Sequence, residues 1–169
     1  MKIIITTHSQ TIQNTKKICT GHLNGELSEQ GIKDANSLGL KFKNKKITVV
    51  YSSDLERAKD TAKEILKYYP TLKLKTDKRI RERFFGKLQG KPFPKDLDWK
   101  NLPADIETEA DMQVRADEFI NELKNKHSEE TVLIVCHDGI KASLISAIVN
   151  KPVLWQDVTK TAVHEFEIK

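Results

Sequence analysis

The stretch IIITTHSQTIQN, residues 3–14, passes abruptly from apolar residues to polar ones. Its first part belongs to KIIIT (2–6), a continuous apolar run of the kind buried on both faces of a parallel sheet. A strand that ends in Thr7-His8-Ser9 holds these side chains rigidly at the edge of a loop-lined crevice. Two further runs have the same character, ITVVYSS (47–53) and TVLIVCHDG (131–139). Helical patterns separate them. LSEQGIKDANSLGLKF (27–42) offers Ser28 as an N-cap, with Ile32, Ala35, Leu38 and Phe42 at helical spacing. DLERAKDTAKEILKYY (54–69) aligns Leu55, Ala58, Ala62, Ile65 and Leu66 on one stripe. TEADMQVRADEFINELKN (108–125) places Met112, Ala116, Phe119 and Leu123 on an inner face, and IKASLISAIV (140–149) follows the third apolar strand. TLKLKT (71–76) and AVHEFEIK (162–169) alternate; the second is expected at a sheet edge.

This order predicts a single α/β domain over 1–169, with a mainly parallel central sheet and helices on both faces. Ligands of such sheets sit beyond the carboxyl ends of the strands. His8, the Ser52–Arg57 turn and His137 are therefore expected to meet in one crevice.

The bulk properties narrow the function. With 169 residues, 38% hydrophobic and 31% charged, the chain has an ordinary globular composition. A formal charge of +5 suits an anionic ligand, but the lysines are scattered, which argues against nucleic acid as a partner. No apolar run approaches the roughly 20 residues of a membrane span, and the N-terminus lacks a signal-peptide pattern. Cys19 and Cys136 show no metal-ligand or redox spacing. These features imply a cytoplasmic protein with free thiols and no membrane contact.

Smaller features have plain structural readings. Cys136 alternates away from the crevice, His22 and His127 read as solvated, and His164 reads as a packing or edge residue. Trp99 reads as a surface anchor in an insertion near the site. One histidine at a strand end is weak evidence for chemistry, whereas His8 and His137 at equivalent ends reinforce each other. Arg57 falls one turn into a helix expected to begin at Asp54. Glu82 lies in RIRERFFGKLQGK (79–91), a mixture of charge, aromatics and glycine outside any regular pattern.

Taken together these pieces resemble the histidine phosphatase superfamily, the phosphoglycerate-mutase-like clan. THSQTIQN (7–14) is similar to its opening signature Arg-His-Gly-x-Thr-x-x-Asn through His8, Thr11 and Asn14. GHLNGELSEQG (21–31) resembles the Gly-x-x-Asp-x-x-Leu-Thr-x-x-Gly pattern through Gly21, Leu27, Ser28 and Gly31, with Asn24 for the aspartate. YSSDLERAKDTA (51–62) resembles Ser-Ser-x-Leu-x-Arg-Ala-x-x-Thr-Ala and places Arg57 as a phosphate-binding arginine. RERFFGKLQG (81–90) looks like the segment bearing the proton donor, here Glu82. ETEADMQVR (107–115) resembles a helix start of the family at Glu107, Thr108, Asp111 and Arg115, and VLIVCHDG (132–139) resembles the strand ending in the second catalytic histidine, His137.

The resemblance implies a metal-independent, cofactor-free phosphatase acting on a small phosphorylated substrate or a phosphoprotein. His8 would attack phosphorus, Glu82 would exchange the proton and His137, as a cation, would assist. Thr7, Asn14 and Arg57 would line the phosphate site. Phe84 and Phe85 would desolvate Glu82 and raise its pKa. The sequence also departs from the pattern: Thr7 stands where the family has its first arginine, Ser9 where it has glycine, and Asp138 where glycine follows the second histidine. Arg83, Lys16, Lys87 and Lys141 are candidates to supply the missing charge. A degenerate member that binds a phosphorylated ligand or partner without turnover is the alternative. A mutase is less favoured, because the insertion at about 87–106 is short for a lid that excludes water.

Overall fold

The computed structural model describes residues 1–158 and 163–168. The strands β1 (Lys2–Thr7), β2 (Val49–Ser52), β3 (Leu74–Thr76), β4 (Thr131–Cys136) and β5 (His164–Glu167) form one sheet in the order β3-β2-β4-β1-β5. Its four strands β3, β2, β4 and β1 are mutually parallel, and β5 runs antiparallel along the outer edge of β1. The α/β architecture with a mainly parallel sheet matches the reading of the sequence. The unbroken apolar runs are explained by burial on both sides. Ile4, Val50, Leu133 and Val135 pack under α2 (Glu29–Phe42) and α3 (Glu56–Leu66). Ile3, Ile5, Val132, Ile134 and Cys136 face α4 (Glu109–Lys126) and α5 (Asp138–Val149). A four-residue helix, α1 (Ile12–Thr15), sits beyond β1.

Local signals set most of the boundaries. Ser28 accepts a hydrogen bond from Gly31 N at the start of α2, and Thr108 and Asp111 form a capping box at the start of α4. Met112, Ala116, Phe119 and Leu123 are buried on α4 as their spacing requires. Four expectations need correction. Ile32 lies on the exposed side of α2, whose buried line is Gly31, Ala35, Gly39 and Phe42. Backbone approach decides this: a Cβ at Gly31 would meet Gln10 O at 2.0 Å, and one at Gly39 would meet the Tyr68 ring at 2.7 Å. β2 and β3 are shorter than the stretches ITVVYSS and TLKLKT that contain them. α3 starts at Glu56 with Leu55 at the N-cap, because Asp54 turns its carboxylate to the Arg81 guanidinium at 2.6 and 2.7 Å. His127 is buried at the C-cap of α4, where its ring meets Tyr51 Oη at 3.2 Å and Glu130 Oε2 at 3.1 Å. β5 forms the expected edge, with His164 part-buried in it; Ala162 and Lys169 of that run lie outside the described residues. Among the described residues no helix is long and apolar enough to cross a membrane.

Candidate active site

The carboxyl ends of β1, β4 and β2 deliver their side chains to one place. His8 extends the ladder past β1, its N–H donating to Cys136 O at 2.9 Å, while Ser53 N–H donates to Val135 O at 3.1 Å beyond β2. His137 is the N-cap residue of α5 and is fully buried. The two imidazoles lie with centroids 5.1 Å apart, tilted by 59°. His8, Arg57, Glu82 and His137, all anticipated from sequence, are thus brought together.

Hydrogen bonds define which face of His8 is available. Its Nδ1 meets Ser9 O at 2.7 Å, so the neutral ring donates from Nδ1 and keeps a lone pair on Nε2. Arg57 Nε–H donates to that Nε2 at 3.3 Å. Burial, and then the Arg57 charge, lower the His8 pKa to about 3, so the imidazole is neutral near pH 7. Ser9 N–H donates to Thr61 Oγ1, which donates to Arg57 O, tying the strand end to the first turns of α3. The buried Arg57 fork is held by the loop that precedes α2: Nη1 donates to Leu23 O at 2.9 Å and Nη2 to Gly21 O at 2.7 Å. Gly21 has φ +51°, and a Cβ there would strike Gln89 Oε1, the group that accepts from His22 N–H. The glycine of the GHLNG segment thereby shapes the loop that positions the arginine.

His137 behaves differently from the cation expected of it. Burial, then Arg57 and His8, hold its pKa well below the usual histidine range, so it is neutral. Among the described residues neither ring nitrogen has a hydrogen-bond partner, although both are buried. A polar ligand between the imidazoles would give one of them a partner.

Glu82 approaches from the irregular segment between two short 3₁₀ turns. Burial raises its pKa, and that effect outweighs the hydrogen bond from Arg83 N–H (2.8 Å) and the Arg57 charge, which lower it. Gly139, on the first turn of α5, admits it: a Cβ there would lie 2.1 Å from Glu82 Oε1. The phenylalanines share the work unequally. Phe85 is buried with Cys19 and Ile106, whereas Phe84 turns outward against the edge of His22.

Further residues position this segment. His22, expected to be solvated, is half-buried and its Nε2 meets Glu82 O at 2.7 Å. Arg115 grips the same segment, donating to Arg79 O, Arg81 O and Glu82 O while pairing with Glu107 through Nε and Nη2. Glu107 Oε2 also accepts from Phe84 N–H. The ETEADMQVR resemblance singles out Glu107 and Arg115; the fold adds their grip on residues 79–82.

Other anticipated residues are held by different contacts. Asn14 is exposed and its Oδ1 caps α1, accepting from Thr11 N–H at 3.0 Å. Thr7 is buried at the end of β1, opposite Cys136 in register. Lys16 and Lys87 are exposed. Arg83 lies over the Trp99 ring at 5.4 Å and reaches Glu109 Oε1 at 3.6 Å. Trp99 stacks on Phe93 and stays largely exposed. Lys141 is fully buried on α5, with Nζ 3.3 Å from Asp138 Oδ1. Among the described residues no group of three or more His, Cys, Asp or Glu is arranged to hold a metal ion.

Comparison with known proteins gives the site its context. The family model for the histidine phosphatase superfamily (branch 1) matches residues 3–168. The chain belongs to this superfamily. It is 28% identical to phosphoglycerate mutase-like protein 4 of Arabidopsis thaliana, over 99% of this chain and 79% of that protein. It is 29% identical to the metal-independent phosphoserine phosphatase of the same plant, over 82% of this chain and 65% of that protein. The solved structure of Bacillus stearothermophilus YhfR superposes with a TM-score of 0.90 at 25% identity, covering 99% of this chain and 91% of that one.

Proposed function

We propose that this histidine-phosphatase-superfamily protein hydrolyses a small phosphomonoester through a phosphohistidine formed on His8. The observation that carries the proposal is the paired state of two groups in one pocket. His8 is neutral with its Nε2 lone pair against Arg57 Nε, and Glu82, raised in pKa by burial, feels the same Arg57 charge. In the first step Nε2 attacks phosphorus in line, the P–N bond forms and the ester P–O bond breaks. The departing alkoxide takes the Glu82 proton. In the second step water attacks phosphorus, Glu82 carboxylate accepts its proton, the P–N bond breaks and inorganic phosphate leaves.

The protein's remaining task is charge placement. Arg57 Nε now donates to the attacking nitrogen, so the arriving phosphoryl group has to take over that donor. The same transfer frees the lone pair for attack. A dianion also reverses the balance at His137, favouring its protonated form and giving one of its ring N–H groups an acceptor. Asn14 would contribute through Nδ2, its Oδ1 being committed to Thr11. The Arabidopsis relative named a metal-independent phosphoserine phosphatase supports hydrolysis without a metal.

Turnover of a chromogenic aryl phosphate tests the reading. Wild type is expected to release phosphate continuously, and His8→Ala to fall to background. Glu82→Gln is expected to lose roughly 10²- to 10⁴-fold, the usual worth of general acid catalysis. Equal rates for wild type and His8→Ala would reject it. The second reading, a binder without turnover, draws on Thr7 and on the Asp138 carboxylate beside the pocket. Its signature is tight orthovanadate binding by a wild type that releases no phosphate.

A further inference from the structure

Three consecutive residues, Gly21, His22 and Leu23, hold both the arginine and the acid that the chemistry above requires. The carbonyls of Gly21 and Leu23 accept from Arg57 Nη2 at 2.7 Å and Nη1 at 2.9 Å. His22, between them, binds the segment that carries the acid. Its N–H donates to Gln89 Oε1 at 2.6 Å, and its ring Nε2 meets Glu82 O at 2.7 Å. A carbonyl can only accept, so Nε2 carries the proton and donates, whether the ring is neutral or charged. One residue thus ties together positions 82 and 89 of a stretch that has no strand ladder of its own. Phe84, within that stretch, meets the same imidazole edge-on, with ring centroids 5.2 Å apart. Arg115 Nη2 donates to the Glu82 carbonyl as well, at 3.1 Å, but Arg115 also holds Arg79 O and Arg81 O and so anchors the segment to α4. The His22 bond differs in kind, because it connects the acid to the loop that supports the arginine.

We propose that Gly21-His22-Leu23 is a cross-brace between the phosphate-binding arginine and the acid, and that His22 is the positioning residue through which it sets the Glu82 carboxyl against the leaving group. This deepens the phosphomonoester reading and rests on it. Glu82 has to place its proton on the ester oxygen of a phosphoryl group that Arg57 holds. A displacement of one relative to the other by about 1 Å costs roughly 10²-fold in rate. Hanging both groups from one tripeptide removes that freedom. In this role His22 acts through Glu82 alone, so its loss falls on proton transfer and not on phosphate binding.

The leaving-group dependence of kcat/KM, which reports formation of the phosphohistidine, tests this. A dinitrophenolate departs without a proton, whereas a phenolate or an alkoxide needs one. His22→Leu keeps the backbone N–H and the bulk of the side chain but removes the ring donor. It is expected to lower kcat/KM for phenyl phosphate roughly 10- to 100-fold. Turnover of dinitrophenyl phosphate and inhibition by inorganic phosphate are expected to stay near wild type. His22→Gln, whose amide N–H reaches about as far as Nε2, should recover most of the phenyl phosphate rate, and the shorter His22→Asn should not. That polar pair carries the comparison if the leucine variant is unstable. In a Glu82→Gln background, His22→Leu should add no further loss, because the group it acts through is already disabled. Wild-type kcat/KM in His22→Leu, an equal loss on both esters, weakened phosphate inhibition, an additive loss with Glu82→Gln, or failure of glutamine to restore the rate overturns the brace. A wild type that turns over neither ester instead overturns the phosphatase reading beneath it, and the two failures are thereby distinguished.

Discussion

Gly139 and Glu82 show how finely the pocket is fitted at the scale of single residues. Glu82 is raised in pKa because it is packed into a space that no side chain at 139 would leave open. Gly139→Ala places a methyl 2.1 Å from Glu82 Oε1, too close for the carboxyl to keep its position. The residue is helical, so the backbone tolerates alanine. The expected outcome is a folded protein with activity on an aryl phosphate reduced roughly 10²-fold, the cost of displacing a catalytic group by about 1 Å. Steady-state rates alongside circular dichroism check it, and unchanged turnover would contradict the placement of Glu82. The same carboxyl sets a pH limit. Its proton is needed for the leaving group, so kcat/KM is expected to fall as pH rises through the raised Glu82 pKa. In Glu82→Gln that basic limb should disappear from the much smaller residual rate.

At the scale of elements, the three central strands fix two histidines and an arginine, but the acid arrives on a segment with no ladder of its own. α4 supplies what the sheet does not. Arg115, on its second turn, donates to three carbonyls of residues 79–82 while Glu107 neutralises it. Arg115→Met removes a donor from each of these carbonyls and the cation that pairs with Glu107. A loss of about 2–3 kcal/mol is expected, hence a fall in Tm of roughly 5–10 °C. Activity should fall further than stability at temperatures where the variant is fully folded. Thermal melts paired with rates at 25 °C separate the two effects.

This division of labour explains what the sequence revealed. The strand ends were legible because burial on both faces writes unbroken apolar runs, and His8 and His137 close two of them. Met112, Ala116, Phe119 and Leu123 were legible by period. Ile32 misled because glycines carry the contact face of α2, and close backbone approach leaves no hydrophobic mark. His22 and His127 misled for a related reason. Their burial depends on partners 60 and 76 residues away, which no local pattern encodes.

At the scale of the whole molecule, the fold concentrates ionisable groups where its sheet is least accessible to water, and that has a consequence for stability. His8 has a pKa of about 3 in the folded protein, against about 6.5 for an exposed histidine. His137 is likewise held low. Between these limits the unfolded chain binds protons that the folded one refuses, so their contribution is present above about pH 6.5 and is lost progressively as pH falls towards 3. Glu82 acts in the opposite sense. Its raised pKa contributes stability that is full below the normal glutamate range and declines as pH rises through the folded value. With two histidines against one glutamate, the acid side is expected to dominate and Tm to fall steadily from pH 7 to pH 4. Two comparisons make this specific. His8→Ala should show a shallower acid decline than wild type, since one proton-refusing group is gone. Saturating phosphate, by drawing His137 towards its protonated form, should flatten the wild-type decline but have little effect on His8→Ala if the anion needs both rings to bind. Parallel Tm-against-pH curves for wild type and His8→Ala would mean that the buried histidines do not govern the acid limb.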